Sequence, residues 1–202
     1  MKLLLGILLS YLIGSIPTAF LVSKQVCGVD IRKSGSGNVG ATNVFRVVGK
    51  KWGIGVLILD ILKGFFAVTF ISRFFLSDFV SPFVSSLLFG LAAIGGHTWT
   101  VWLGFKGGKG VATSLGVLLA LIPAAAGAGL AVWLLIFTWK RYVSLASLVM
   151  AASLPFWVFL FYKNAAYFHF LFPISLGLTL FLFYTHRSNI QRLRQGTEKQ
   201  LI

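Results

Sequence analysis

The chain has 202 residues, 57% of them hydrophobic and only 11% charged, with a mean hydropathy of +0.90; a soluble domain carries about 25% charged residues, so this chain lacks the polar surface to cover a water-soluble particle. Its 18 Lys and Arg outweigh 4 acids for a net charge of +14, but the cations sit in short loops between long apolar runs, which argues against nucleic acid and for a membrane protein whose basic loops meet anionic headgroups or an anionic substrate. With Cys27 its only cysteine, it has no intrachain disulfide and no cysteine metal cluster.

The opening stretch, MKLLLGILLSYLIGSIPTAFLVSK, has too long an apolar run for a signal peptide and no A-x-A-like cleavage site. Residues 3–22 are therefore read as the first membrane helix. The loop after it contains RKSGSGNVGATNVFR, residues 32–46. Gly35, Gly37 and Gly40 let successive backbone N–H groups turn toward one point, as in an anion nest. Ser36, Asn38, Thr42 and Asn43 add side-chain donors, and Arg46 adds a fork that matches phosphate oxygens. The same loop holds a formal GxGxxG with Asp60 twenty residues after Gly40. A dinucleotide fingerprint needs a preceding strand and a βαβ unit, and here membrane helices flank the glycines.

The second and third spans are expected at 53–75 and 81–97. Asp60 and Lys63 fall inside the former at helical spacing. Charges within a bilayer are expensive and tend to pair, so they read as an ion pair, with Lys63 close enough to the inside surface to support a pocket there. His97 ends the third span. The second loop on that side reads GHTWTVWLGFKGGKGVATSLG, residues 96–116, in which Gly107, Gly108 and Gly110 surround Lys106 and Lys109 just before a helix. Helix N-terminal N–H groups with two ammoniums suit a phosphate. It is not a Walker A loop: Gly110 follows Lys109 where Ser or Thr belongs, and Leu103 stands where the first Gly should be.

The remaining spans are expected at 111–123, 125–139, 145–161 and 168–185, with a break at Pro123 inside the small-residue stretch Ala124, Ala125, Ala126, Gly127. One unbroken helix there would reduce seven spans to six and move the C-terminus. The cations arbitrate. With seven spans, 14 of the 18 Lys and Arg lie on one side, Lys2, Arg73 and Lys163 on the other, and Lys63 within a span. The positive-inside rule then predicts about seven transmembrane helices in an all-α membrane protein, N-terminus outside and C-terminus cytoplasmic, built as one domain over 1–202. The third inside loop offers Lys140, Arg141, Tyr142, Ser144 and Ser147. The chain leaves its last span at His186, Arg187 and Asn189, with His186 and Asn189 on one helical face. Trp52, Trp99, Trp102, Trp139, Tyr142, Trp157 and Tyr162 form an interfacial belt.

Taken together, GSGNVGATN, LDILKG, GHTWTVWLGFKGGKGVATSLG, RYVSLAS and THRSNI resemble the acyl-phosphate:glycerol-3-phosphate acyltransferase family of bacterial membranes, the PlsY type, over essentially the full length and with matching loop order. The resemblance implies transfer of a fatty acyl group from acyl phosphate to the 1-hydroxyl of glycerol 3-phosphate, giving lysophosphatidic acid and phosphate. The H-x-x-x-x-D motif of the other large acyltransferase class is absent: Trp102 stands at that offset from His97 and Gln191 from His186. The candidate catalytic residues are His186, Asn189, Lys109 and Arg46. The candidate substrate-binding residues are Ser36, Gly37, Asn38, Thr42, Asn43, His97, Lys106, Gly107, Gly108, Gly110, Arg141, Ser144 and Ser147. Which of Lys106 and Lys109, and which of Ser144 and Ser147, touches phosphate stays open. No metal or cofactor is expected. Acyl phosphate is an activated donor, so positioning and charge neutralisation can supply most of the rate. With no convincing protein base, the donor's own phosphate is expected to take the acceptor's proton while His186 and Asn189 orient it.

The expected setting is the bacterial cytoplasmic (inner) membrane, with the loops folding over one another into a shared cytoplasmic cradle for both headgroups. The expected partners are membrane lipids and the two substrates, with the chain a monomer working near the enzyme that makes acyl phosphate. Two rivals remain. A transporter of an organic phosphate needs polar residues along a path across the bilayer, and only Asp60 and Lys63 qualify. A lipid-organising structural protein explains the basic loops but not the two glycine-rich motifs.

Overall fold

The computed structural model describes residues 1–76 and 79–201; Asp78, one of the 4 acids, lies outside them. Among the described residues the fold is helical throughout, with eleven α-helices and no strand. The chain forms two compact units, Met1–Leu121 and Ile122–Ile202.

The first unit contains α1 (Lys2–Ser15), α2 (Thr18–Cys27), α3 (Ala41–Val47), α4 (Lys50–Phe66), α5 (Ser72–Phe75), α6 (Pro82–Thr98) and α7 (Val111–Leu121). Sequence punctuation sets these boundaries. Pro17 disfavours helix at Ile16, so the expected first span is broken into α1 and α2. Gly28, with φ of +70°, ends α2 in the left-handed conformation. Ser81 caps α6 by accepting from Val84 N–H, with Pro82 at the first helical position. A π-helical turn, Ala67–Ile71, joins α4 to α5.

Close helix contact in this unit depends on small residues, as expected where lipid supplies no hydrophobic drive between helices. Gly14 lies against the Ala93 backbone and Gly96 against the Tyr11 carbonyl, so α1 and α6 touch backbone to backbone. Gly64 meets the Thr113 carbonyl and Gly116 the Ile61 carbonyl, which draws α4 onto α7.

The second unit contains α8 (Pro123–Lys140), α9 (Val143–Tyr162), α10 (Phe168–Thr185) and α11 (Arg187–Arg194). Helix α9 packs against both α8 and α10. The Thr179 hydroxyl of α10 donates to the Ala151 carbonyl of α9 at 2.7 Å.

Among the described residues, six helical stretches are long and apolar enough to cross a membrane: Lys2–Cys27, Lys50–Phe75, Pro82–Leu103, Pro123–Lys140, Val143–Tyr162 and Phe168–Thr185. They coincide with six of the seven expected spans. The expected fourth, 111–123, is instead the 11-residue helix α7, about 16 Å long against a hydrocarbon core of about 30 Å. Gly110, at φ of +87°, bounds it on one side, and Pro123 forces Ile122 out of the helix on the other.

Candidate functional site

In the first unit, the loop after α2 starts on a short rigid turn. Asp30 caps it by accepting from Arg32 N–H at 3.0 Å, and the Arg32 guanidinium forks onto both Asp30 oxygens at 3.0 and 2.7 Å. The side-chain bonds from Arg32 hold the Asp30 carboxyl down at about 2. Ile31, fully buried with Val39, Val44 and Val56, pins this turn to the core.

Asn43, 1% exposed, organises the rest of the loop. Its Nδ2 donates toward the carbonyls of Ile31 (3.2 Å), Ser34 (2.9 Å) and Asn38 (3.1 Å), and its Oδ1 accepts from Ser36 N–H at 2.9 Å. Gly37 N–H donates to the Ser34 carbonyl at 3.0 Å. Gly35 and Gly37 take φ of +62° and +72°, and a Cβ at Gly35 would collide with Asn43 Oδ1. The expected nest is thus a self-bonded loop: the Ser36 and Gly37 N–H groups face inward, and Asn43 is a scaffold. The exposed Ser36, the half-buried Asn38 and Thr42, and Arg46 on α3 are the side chains it carries.

Two amides of the glycine-lysine loop are likewise engaged within the first unit. Gly107 N–H donates to the Thr98 carbonyl at 2.9 Å and Gly108 N–H to the His97 carbonyl at 3.1 Å. These amides close the C-terminal end of α6 instead of pointing at an anion. Glycine is required at both positions for proximity: a Cβ at Gly107 would strike the His97 carbonyl, and one at Gly108 would strike His97 Nε2. His97 itself is buried, with Nδ1 facing Asp60 Oδ1 across 3.7 Å. Lys106 is exposed and Lys109 half-buried, on either side of the glycine pair, and buried Gly110 leads into α7. The segment before the loop is fastened too. The Thr100 hydroxyl donates to the Ser15 carbonyl at 2.5 Å and the Tyr11 hydroxyl to the Trp99 carbonyl at 2.6 Å.

In the second unit, three candidate residues gather at the end of the chain. His186, 3% exposed, sets Nδ1 2.8 Å from the Leu182 carbonyl. A carbonyl only accepts, so Nδ1 carries a proton in this arrangement. Ser144 and Asn189 both donate to Glu198 Oε1, at 2.7 and 2.6 Å, while Arg192 Nε donates to Glu198 Oε2 at 2.6 Å. Burial opposes ionisation of Glu198, but the bonds from Ser144, Asn189 and Arg192 outweigh it and hold the carboxyl below its ordinary value.

Glu198 escaped the sequence reading. Its only signal was that it is the sole acid in a basic tail, beyond a turn at Gly196 (φ of +67°). That turn brings Leu201 N–H to the Arg141 carbonyl at 3.0 Å. Arg141, left-handed at φ of +63°, ends α8 with its side chain exposed. The two candidate serines separate here. Ser147 donates to the Val143 carbonyl at 2.8 Å and accepts from Trp133 Nε1 at 3.1 Å, so it serves α8–α9 packing, whereas Ser144 faces the polar cluster.

The profile of the family described as glycerol-3-phosphate acyltransferase matches residues 4–196. A glycerol-3-phosphate acyltransferase of Fusobacterium nucleatum is 44% identical over 194 residues, covering 96% of this chain and 95% of the relative. Among solved structures, the glycerol 3-phosphate form of PlsY (YgiH), an integral membrane glycerol 3-phosphate acyltransferase, superposes with a TM-score of 0.86 at 42% identity, over 99% of this chain and 96% of that one. Its lysophosphatidic acid form gives 0.84, covering 99% and 95%.

Proposed function

The chain belongs to the glycerol-3-phosphate acyltransferase family, and from that premise we propose that this multi-pass membrane acyltransferase takes its acyl group from acyl phosphate and produces lysophosphatidic acid. The observation that carries the proposal is likeness over 99% of the chain to a protein solved in both a glycerol 3-phosphate and a lysophosphatidic acid form.

The reaction suits the residues. The 1-hydroxyl oxygen of glycerol 3-phosphate attacks the acyl carbonyl carbon. The bond from that carbon to the phosphate oxygen breaks, and the hydroxyl proton passes to the departing phosphate. No covalent enzyme intermediate is required. Arg46, Lys106 and Lys109 supply the positive charge that two phosphates need, with Ser36, Asn38 and Thr42 as side-chain donors. Asn43, Gly37, Gly107, Gly108 and Gly110 act by shaping the loops that carry them. His186 and Asn189, with Ser144, orient the reacting groups, and Arg141 adds a cation.

The chain is placed in the cytoplasmic membrane as a monomer, N-terminus outside, with its active site on the cytoplasmic face near the source of acyl phosphate. The lopsided distribution of Lys and Arg supports this topology. It requires the segment around α7 to carry the chain across once more. Cysteine labelling at residues 35–40, 107–110 and 195–200 tests it: the topology puts all three segments on the cytoplasmic side, and labelling of any one from the opposite side of the bilayer would reject it. Transport loses its footing, because Asp60 and Lys63, the pair on which a polar path would rest, are buried and bonded to each other at 2.9 Å.

The activity test is purified protein in detergent or nanodiscs with acyl phosphate and glycerol 3-phosphate, monitored for phosphate release. Acyl-CoA is run in parallel. Turnover with acyl phosphate and none with acyl-CoA is expected; the reverse would reject the donor assignment.

A further inference from the structure

Asp60 is a buried carboxylate, 1% exposed, in the middle of α4. Left alone in a membrane span, it would be strongly disfavoured. Its Oδ1 accepts the Thr18 hydroxyl of α2 at 2.6 Å and the Lys63 ammonium at 2.9 Å, and faces His97 Nδ1 of α6 across 3.7 Å. Lys63 also donates to the Ile16 carbonyl at 3.2 Å, at the break between α1 and α2. One carboxylate oxygen is therefore the hub for three helices. The fourth element is the glycine-lysine loop, through the other edge of the same histidine. Gly108 sits on His97 Nε2 so closely that no Cβ fits, and the Gly107 and Gly108 amides hang from the Thr98 and His97 carbonyls. A small pocket beside this network is lined by Thr18, Lys63, His97, Val39 of the first loop and Gly107 of the second. The network thus lies directly behind both loops.

An ion pair that only fastened helices would not need His97 against its carboxylate, nor a loop seated on that imidazole. We propose that Asp60 is a positioning residue for the acyl transfer: it fixes the His97 ring, and through it the Gly107–Gly108 segment on whose two sides Lys106 and Lys109 stand. This deepens the proposed acyltransferase function and rests on the glycine-lysine loop holding a phosphate. Rotation of the imidazole would lift the glycine pair and shift both ammoniums relative to their substrate.

The test compares the unaltered full-length enzyme with D60N and with D60N/K63M. D60N leaves the Lys63 ammonium buried without its carboxylate, and poor folding alone could explain its behaviour. D60N/K63M removes both charges and restores the balance. Two readouts are taken: KM and kcat for each substrate, and protection of Lys106 and Lys109 from an amine-reactive label by glycerol 3-phosphate or inorganic phosphate, read by mass spectrometry. The double variant is expected to unfold within a few degrees of the unaltered enzyme. Its KM for one phosphate substrate should still be raised ~10-fold or more, with kcat falling less, because a displaced loop weakens substrate positioning. Half-protection should require ~10-fold more phosphate. If the double variant regains both the normal KM and the normal protection together with its stability, Asp60 is only a packing residue and the proposal is overturned. Failure of the unaltered enzyme to turn over acyl phosphate would count against the donor assignment alone, and the protection ratio would then decide the role of Asp60.

Discussion

The two units hold their polar candidates in place by different physical means. In the first, the loop around Asn43 is ordered by a neutral group, an asparagine amide threaded through its backbone, although the Asp30–Arg32 and Asp60–Lys63 ion pairs belong to the same unit. In the second, order comes from a charge: the Glu198 carboxylate gathers Ser144, Asn189 and Arg192. A neutral scaffold fails when its shape changes and is indifferent to pH. A charged one tolerates small changes of shape and fails when the charge is lost. That difference can be broken deliberately, one region at a time.

The largest effect is expected at Asn43. In N43A the Asn38 carbonyl and the Ser36 N–H lose the Asn43 amide in a part-buried setting, while the carbonyls of Ile31 and Ser34 lose one of two partners and keep the N–H groups of Ser34 and Gly37. Each such group costs about 1–3 kcal/mol when left unsatisfied, so a loss of roughly 3 kcal/mol or more is expected, seen as a lower midpoint in thermal unfolding together with loss of turnover. A variant that unfolds normally would show that the loop does not depend on this amide. Next comes G108A, in which the new methyl group must displace the His97 ring or the loop. Because misplacement of reacting groups by about 1 Å costs ~10²-fold in rate, kcat/KM should fall by about that factor, with a lower unfolding temperature from the overpacking, which costs about 1–3 kcal/mol.

The charged region should respond more mildly and in a different variable. E198Q keeps an oxygen acceptor but loses the charge that makes its three bonds strong, a loss of about 1–2 kcal/mol, confined to the tail latch. The pH dependence follows from the direction of the Glu198 shift. Its folded value lies below its ordinary one, so the carboxylate contributes stability that is fully present above the ordinary carboxylate range and is lost as pH falls through the depressed value. Hydrogen exchange should report release of the Leu201 amide from the Arg141 carbonyl in that acid window, while amides bonded around Asn43, which does not titrate, stay protected. Equal acid release in both regions would break the contrast between them.

Much of this architecture was legible in the sequence, because long apolar runs can only be buried in lipid or protein and the punctuating prolines and glycines sit where helices stop. Six expected spans coincide with apolar helical stretches, the first of them broken at Ile16 and Pro17. Helix α7 was overextended because Leu121, Ile122 and Pro123 continue its apolar run, and only backbone geometry reveals that Ile122 has left the helix. The glycine-rich loops were legible as special, but not the direction of their amides. Whether Gly107 N–H faces an anion or a carbonyl depends on where α6 ends in space, and Thr98 and His97 reach those amides only once the chain has turned through Gly104. Asp60 and Lys63 were legible as a pair, whereas their partners Thr18 and His97 come from distant helices. Glu198 was hidden because its three partners are spread over residues 144–192 and meet only when the tail folds back.

The smallest expected effect is also the most discriminating, because it separates two serines that sequence alone left equivalent. Ser147 lies one helical turn beyond Ser144 on α9, and both are buried. Its hydroxyl donates to the carbonyl one turn back and accepts from the Trp133 indole. Removing it orphans one indole N–H, a matter of about 1 kcal/mol, and leaves the polar cluster intact. Ser144 instead donates to the same Glu198 oxygen that takes Asn189, so its removal frees one side of that carboxylate and lets the asparagine reorient. S147A should therefore keep kcat/KM within about twofold, while S144A lowers it ~10-fold with a similar unfolding temperature, as expected when a positioning contact and not a packing contact is lost. Steady-state kinetics on the two purified variants settle it: if S147A proves the more damaging, the indole bond is not the reason that serine is there, and the division between a packing serine and a site serine on α9 fails.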